Sequence, residues 1–254
     1  MKGISRRNML ATLAVSSSTV AVSAIAQGAP GSVATAPRRR KIVVAGGHPG
    51  DPEYGCGGTI ARLTDMGDEV VLLYLNRGDP RAKTAEEASP VRVAEATKAC
   101  GMLKARPVFA AQIDGNAIID PPHCDAFQRL LETEKPDAVF THWPIDNHAD
   151  HRAISMLVYG AWTRMKKSFA LFFYEVSNGE DTMQFTPTHF VDISAVAERK
   201  RLACFAHASQ APEKFYSLQE SVTRFRGIES GHRQAEAFVR HIQSPEFTLP
   251  SAIG

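Results

Sequence analysis

An α/β fold with a mainly parallel, doubly wound sheet is predicted by three observations. Short apolar runs alternate with longer amphipathic stretches along most of the chain, the βαβα order that builds a parallel sheet. The apolar run at 42–45 stops at Gly46 and Gly47 and passes into His48-Pro49-Gly50-Asp51-Pro52-Glu53, a turn crowded with ionisable groups. A second run at 138–141 passes into His142-Trp143-Pro144-Ile145-Asp146-Asn147-His148-Ala149-Asp150-His151. Both loops leave the carboxyl ends of strands, which is where open α/β sheets bind ligands.

The elements follow in order. After the first loop the pattern predicts a helix at 57–66, a strand at 69–75, a helix at 91–102 and a short strand at 107–110. A helix at 124–134 precedes the strand at 138–141, and a helix at 151–165 follows it. Strands at 170–175 and 190–193 come next, the latter leading into a helix that ends near 207. Beyond residue 212 the periodicity weakens. It predicts helices near 217–226 and 233–240 and leaves the last dozen residues open between strand and loop. There is no internal repeat.

The first 26 residues stand apart from this pattern. Ser5-Arg6-Arg7-Asn8-Met9-Leu10 is a twin-arginine pattern, an uncharged run extends from Leu10 to Ala26, and Ala24-Ile25-Ala26 is an A-x-A cleavage site. The segment reads as a Tat-type signal peptide, so the mature protein is expected in the periplasm or secreted. A membrane anchor is the alternative, disfavoured by the polar interruption at Ser16, Ser17, Ser18 and Thr19. Residues 27–40 read as a linker, with Arg38-Arg39-Arg40-Lys41 a solvated charge run, and 41–254 as one domain. Lys2, Arg6 and Arg7 are the only charges in the signal, so the formal charge of +2 becomes −1 on its removal. A nearly neutral protein offers no electrostatic case for nucleic acid or for an anionic membrane. Cys56, Cys100, Cys124 and Cys204 have neither CxxC nor zinc-ribbon spacing and read as packed thiols; an oxidising compartment leaves a disulfide open.

The residues themselves suggest a metal. His48, Asp51, His148 and His151 are the ligand types of a zinc site and lie at two strand ends. His123, His189, His207 and His232 lack such company and are expected to satisfy local backbone groups. Gly55-Cys56-Gly57-Gly58 has the outline of a phosphate loop, but neither GxGxxG nor GxxxxGK is present.

The first loop resembles the HPDDE signature of the PIG-L/LmbE-like de-N-acetylases, and His148-Ala149-Asp150-His151 resembles their HxDH motif. Arg92-Val93-Ala94-Glu95, Asp114-Gly115, Lys200 with Ala203, His207-Ala208-Ser209-Gln210 and Ala235-Glu236-Ala237-Phe238 extend the likeness to about residue 240. The resemblance implies a Rossmann-like, three-layer αβα domain. It implies a hydrolase, usually zinc-dependent, that removes acetyl groups from N-acetylglucosamine units of glycolipids, thiol precursors, chitooligosaccharides or antibiotics. His48, Asp51 and His151 would then ligate Zn2+ or another divalent metal, and His148 would polarise the carbonyl or protonate the leaving amine. Three protein ligands leave a fourth position open, the catalytic arrangement of zinc. Asp150 either orients a neighbouring histidine or caps the loop. Asp114 would contact a sugar hydroxyl or form an Asp-Gly turn, and Arg77 would face the same pocket. The resemblance also allows a homo-oligomer.

One position departs from the family pattern. Gly50 stands where the family places an Asp that acts as general base. Three readings follow: Glu53 or Asp146 replaces the base, the metal alone suffices, or the chain is a metal-dependent carbohydrate-binding protein without turnover. A missing base costs about 10²- to 10⁴-fold, which slows an enzyme without abolishing it. The glycine could equally make room for another substrate, and so for hydrolysis of a different amide or an ester.

Overall fold

In the computed structural model the described residues are 38–250, apart from 85, 86, 88 and 178–181. The signal expected at 1–26, and the linker as far as residue 37, lie outside the described residues. From Arg38 onward the chain forms one compact unit. None of its described helices is long and apolar enough to cross a membrane.

Seven strands form one sheet: β1 (Lys41–Gly46), β2 (Glu69–Tyr74), β3 (Arg106–Phe109), β4 (Ala138–His142), β5 (Ala170–Tyr174), β6 (His189–Asp192) and β7 (Ala235–Arg240), in the order β3-β2-β1-β4-β5-β7-β6. The first five strands pair in parallel, and β7 runs antiparallel to both β5 and β6. The sheet is therefore mostly parallel, as predicted, with an antiparallel edge. Helices α1 (Asp51–Asp65), α2 (Pro90–Met102), α3 (Pro121–Glu134), α4 (Ala149–Arg164), α5 (Ala197–Phe205) and α6 (Pro212–Ser230) connect the strands.

Strand alternation sorts the core into two layers. Ile42 and Val44 of β1 pack with α1, α2 and α5 residues such as Ile60, Ala96 and Ala203, whereas Val43 and Ala45 pack with α3 and α4 residues such as Leu131, Ile154 and Trp162. Because both faces are covered, the strands read as continuous apolar runs without the polar alternation of a half-solvated sheet. Fully burying each of the larger aliphatic side chains, such as Ile42, Val43, Ile60 and Leu131, contributes about 1.5–3 kcal/mol before conformational entropy is subtracted.

Three expectations are corrected. Helix α1 begins six residues early, at Asp51, because Gly55, Gly57 and Gly58 weaken the helical signal of its first turns. Those glycines exist for packing: a Cβ at Gly55 would sit 2.3 Å from Tyr174 and one at Gly58 2.5 Å from Ile193, so this run forms no phosphate loop. The helix predicted at 233–240 is strand β7, stabilised by partners in β5 and β6 that local periodicity cannot reveal. Nor is the basic run merely solvated: Arg40 Nε donates to Asp68 at 2.9 Å, its Nη1 donates to the Thr248 carbonyl at 2.8 Å, and Arg38 pairs with Asp137. The four cysteines are free thiols.

Candidate metal and catalytic site

The sheet order reverses direction between β1 and β4, since β2 and β3 extend to one side of β1 and the later strands to the other. This is the switch point at which such folds bind ligands, and it brings the two polar loops together. A cavity of about 800 Å³ opens there, lined by His48, Asp51, Asp114, His148 and His151 among others.

The β1 loop is shaped by backbone constraints. A Cβ at Gly47 would lie 2.9 Å from His151 Cδ2 and 3.2 Å from Asp51 Oδ2, so only glycine lets the β4 loop approach. The His48 N–H donates to Asp51 Oδ2 at 2.7 Å, and the Gly50 N–H donates to Glu53 Oε2 at 3.2 Å as α1 begins. Gly50 has φ 116 and ψ −39, a conformation that residues with a Cβ rarely adopt. Arg92 holds the loop from outside, donating from Nη2 to the Pro49 carbonyl at 2.8 Å and from Nε to the Gly78 carbonyl at 3.2 Å.

The β4 loop is held by side chains. Asp146 Oδ1 accepts from the His148 N–H at 2.8 Å and meets His151 Nδ1 at 3.1 Å, while its Oδ2 accepts from Thr182 at 3.0 Å. His148 caps α4, its Nδ1 accepting the Asp150 N–H at 3.2 Å. That bond fixes neutral His148 in the tautomer with its proton on Nε2, a donor.

One carboxylate oxygen sits at the centre. Asp51 Oδ2 lies 3.2 Å from His48 Nδ1, 3.3 Å from His142 Nε2 and 3.1 Å from His151 Nε2. With its Nδ1–H donated to Asp146, His151 in its neutral form directs the Nε2 lone pair at this point. On the far side of His48, Nε2 meets Asp150 Oδ2 at 3.1 Å and Asp114 Oδ1 at 3.2 Å. Asp150 is also bonded by Asn76 Nδ2 at 2.9 Å and the Gly115 N–H at 2.8 Å. His48, His148 and His151 form one potential ligand group, and Asp51, His142 and His151 form another. Convergent imidazole and carboxylate donors, with the remaining ring nitrogens of His48 and His151 tied to carboxylates, fit a divalent cation.

Charge follows the same pattern. Burial opposes protonation of His48, but hydrogen bonds to Asp114, Asp150 and Asp51 outweigh it and hold the pKa well above the usual value. His151 is likewise disfavoured by burial yet raised to about 9 by Asp51 and Asp146. Burial and the charge of His151 push His142 down to about 4. Burial and the neighbouring His48 and His151 lower His148. Asp51 resists burial and is kept well below the usual carboxylate range by the histidines around it.

His48, Asp51, His148 and His151, singled out in the sequence, do converge. Asp150 bonds His48 through its carboxylate, and the residue that orients His151 is Asp146. As replacement bases, Glu53 and Asp146 meet an obstacle: neither lines the cavity, and Glu53 is fully buried with Oε1 bonded by Tyr74 Oη at 2.8 Å and facing His207 Nε2 at 2.9 Å. Arg77 faces a different, small pocket, stacking over Phe109 at 5.7 Å, so its expected place at the main cavity is corrected. His207 exceeds its expected local role, because it is buried on Glu53 and lines the cavity. Sequence reasoning assigned no site role to His142 or Arg92. His142 ends an apolar strand, and Arg92 lies in a helix far along the chain, so their only signal was membership of motif stretches.

This fold and site define a class. Residues 43–162 match the family described as "PIG-L: GlcNAc-PI de-N-acetylase", and the chain carries a PIG-L family domain over that span. Among its relatives is the diacetylchitobiose deacetylase of Thermococcus kodakarensis, 29% identical over 220 residues, covering 78% of this chain and 81% of the relative. The solved structure of the conserved protein TT1542 from Thermus thermophilus superposes with a TM-score of 0.70 at 27% identity, covering 84% of this chain and 99% of the other. The N,N'-diacetylchitobiose deacetylase of Pyrococcus horikoshii shares the fold, with a TM-score of 0.67 at 23% identity over 81% of this chain and 87% of the other.

Proposed function

We propose that the protein is an exported, metal-dependent hydrolase that removes the acetyl group from an N-acetylglucosamine-type sugar or glycoconjugate. The observation that carries this reading is the meeting of Asp51 with three imidazoles beside His148, at the wall of a cavity large enough for a sugar. Similarity to a diacetylchitobiose deacetylase supports the substrate class. The twin-arginine segment and its A-x-A site support export.

His48, Asp51 and His151 would hold the ion, Zn2+ being the ion such donors favour. When bound, the ion supplies Lewis acidity toward the carbonyl oxygen and lowers the pKa of water. His148 presents Nε2–H to the acetamido oxygen as negative charge develops there, and Asp146 and Asp150 fix His151 and His48. Asp114, beside His48 at the cavity wall, is placed to accept a sugar hydroxyl. No side chain at position 50 accepts a proton, and the carboxylates of Glu53 and Asp146 are engaged elsewhere. Turnover therefore runs without the usual carboxylate base.

Acetate release from N,N'-diacetylchitobiose and from simpler N-acetylated sugars, with and without a chelator, tests the reading. Chelator-sensitive release supports it. Sugar binding by the zinc-loaded protein without any release would replace it with a carbohydrate-binding role, which the glycine at position 50 would explain directly. Replacing Arg6 and Arg7 with Lys should leave precursor in the cytoplasm, and normal export of that form would overturn the proposed route.

A further inference from the structure

Building on that metal-hydrolase reading, we propose that Phe215 forms a second saccharide subsite at the mouth of the cavity. The substrate is then a glycan of at least two rings, with its acetamido sugar at the metal site and its next ring stacked on Phe215.

The register of α6 leaves this ring uncovered. Pro212, Tyr216, Gln219, Thr223 and Gly227 recur every three or four residues and are buried, which fixes the inward face of the helix. Tyr216 packs edge-on against Tyr54 at 6.2 Å and Phe205 at 5.6 Å, and that contact turns Phe215, about 100° away around the helix, off the buried face. Phe215 is 43% exposed and lines the same cavity as Asp51, His148 and His151. Among the described residues no other ring and no cation stacks on it. Phe225, exposed on the same helix, lies instead under the Arg226 guanidinium, 5.4 Å from its centroid.

The surroundings select a sugar ring over a purely apolar group. A pyranose offers a face of C–H bonds and a rim of hydroxyls. Phe215 supplies a flat apolar surface for the face, and Gln210 and Asp79, which also line the cavity, supply acceptors for the rim. Gln210 uses its amide nitrogen on Ser209 Oγ at 3.0 Å, and Asp79 receives the Arg81 N–H on Oδ1 at 3.0 Å. Gln210 Oε1 and Asp79 Oδ2 thus have no donor among the described residues. Ser209 is itself held by Glu95, which accepts from its N–H and its hydroxyl at 2.7 Å each, so the turn before α6 presents Gln210 from a fixed backbone. An alkyl chain would leave these acceptors unused.

Size agrees with this assignment. Sites for drug-sized ligands span about 300–1,000 Å³. At about 800 Å³ the cavity lies in the upper part of that range, so a single acetamido sugar would leave part of it empty.

Acetate release by the zinc-loaded full-length protein is compared on N-acetylglucosamine, N,N'-diacetylchitobiose and octyl N-acetyl-β-glucosaminide. Wild type should favour the disaccharide in kcat/KM. Phe215→Ala should lower the disaccharide-to-monosaccharide ratio about 2- to 10-fold, through KM, and Phe215→Trp should restore it. Equal kcat/KM on the two sugars, or a ratio that Phe215→Ala does not change, overturns the subsite and leaves the hydrolase reading intact. Phe215→Leu keeps apolar bulk without an aromatic face. If Leu restores the ratio, or the octyl glycoside gains as much as the disaccharide, the site takes an alkyl group and the saccharide assignment fails. A wild type that releases no acetate from any of the three overturns the functional reading. The same ratio is then read as calorimetric affinities for the two sugars, and equal affinities sink the subsite as well.

Discussion

The loops after β1 and β4 meet at one carboxylate oxygen, yet they are held in place by different means. The β1 loop is set by its backbone: Gly47 permits close approach, Gly50 takes a conformation available to glycine, and Arg92 grips the Pro49 carbonyl. The β4 loop is set by side chains, with Asp146 binding His148, His151 and Thr182 at once. The first is therefore vulnerable to changes of shape, and the second to changes of charge that leave shape intact.

The largest effect is expected where the loops share a task. Asp51→Ala and His151→Ala should each abolish stoichiometric zinc binding, because a site with few ligands has little redundancy. Metal analysis of the purified variants checks this. Full retention by one of them would mean that the replaced residue is not a ligand.

Next comes pH. His151, with its pKa raised to about 9, must release a proton from Nε2 before that nitrogen can take a metal. Affinity should thus rise with pH up to about 9, by roughly tenfold per unit for each proton released. The metal-free fold responds in the opposite sense. Stabilisation from the charged His151 is fully present below its unfolded pKa of about 6.5 and is lost as pH rises through about 9. Calorimetric titrations in buffers of differing ionisation enthalpy measure the protons released, and a flat pH profile would contradict the charge balance described for the site.

Asp146→Asn keeps the shape of the β4 loop and removes its charge. It should weaken metal binding about 10- to 100-fold through misorientation of His151, with the helical circular dichroism unchanged. Unchanged affinity would show that the loop is also held by its backbone.

The smallest effect belongs to shape alone. Gly50→Ala should cost about 1–3 kcal/mol of stability, because its φ of 116 strains any residue with a Cβ, while zinc stoichiometry stays at the wild-type value. Only His207 lies near the added methyl group, at 3.8 Å, so the cost comes from the backbone. Gly50→Asp carries the same backbone penalty. Urea denaturation of both variants tests this, and wild-type stability in Gly50→Ala would remove the backbone argument.

The residues of the sequence determined the order of the elements through strand β6 and the position of the two loops, because apolar runs and glycine stops are local signals. His48, Asp51, His148 and His151 were legible for the same reason: each lies in the loop, or the first helical turn, that follows a strand. What only the tertiary structure decided depended on partners distant in the chain. Strand β7 forms because β5 and β6 lie beside it, against a weak local preference for helix. His142 enters the site because β4 pairs with β1, and Arg92 because α2 packs its guanidinium under the Pro49 carbonyl. Gly50 was visible as a missing carboxylate. That its backbone also disfavours any side chain there is a property of φ and ψ, fixed where the chain turns into α1.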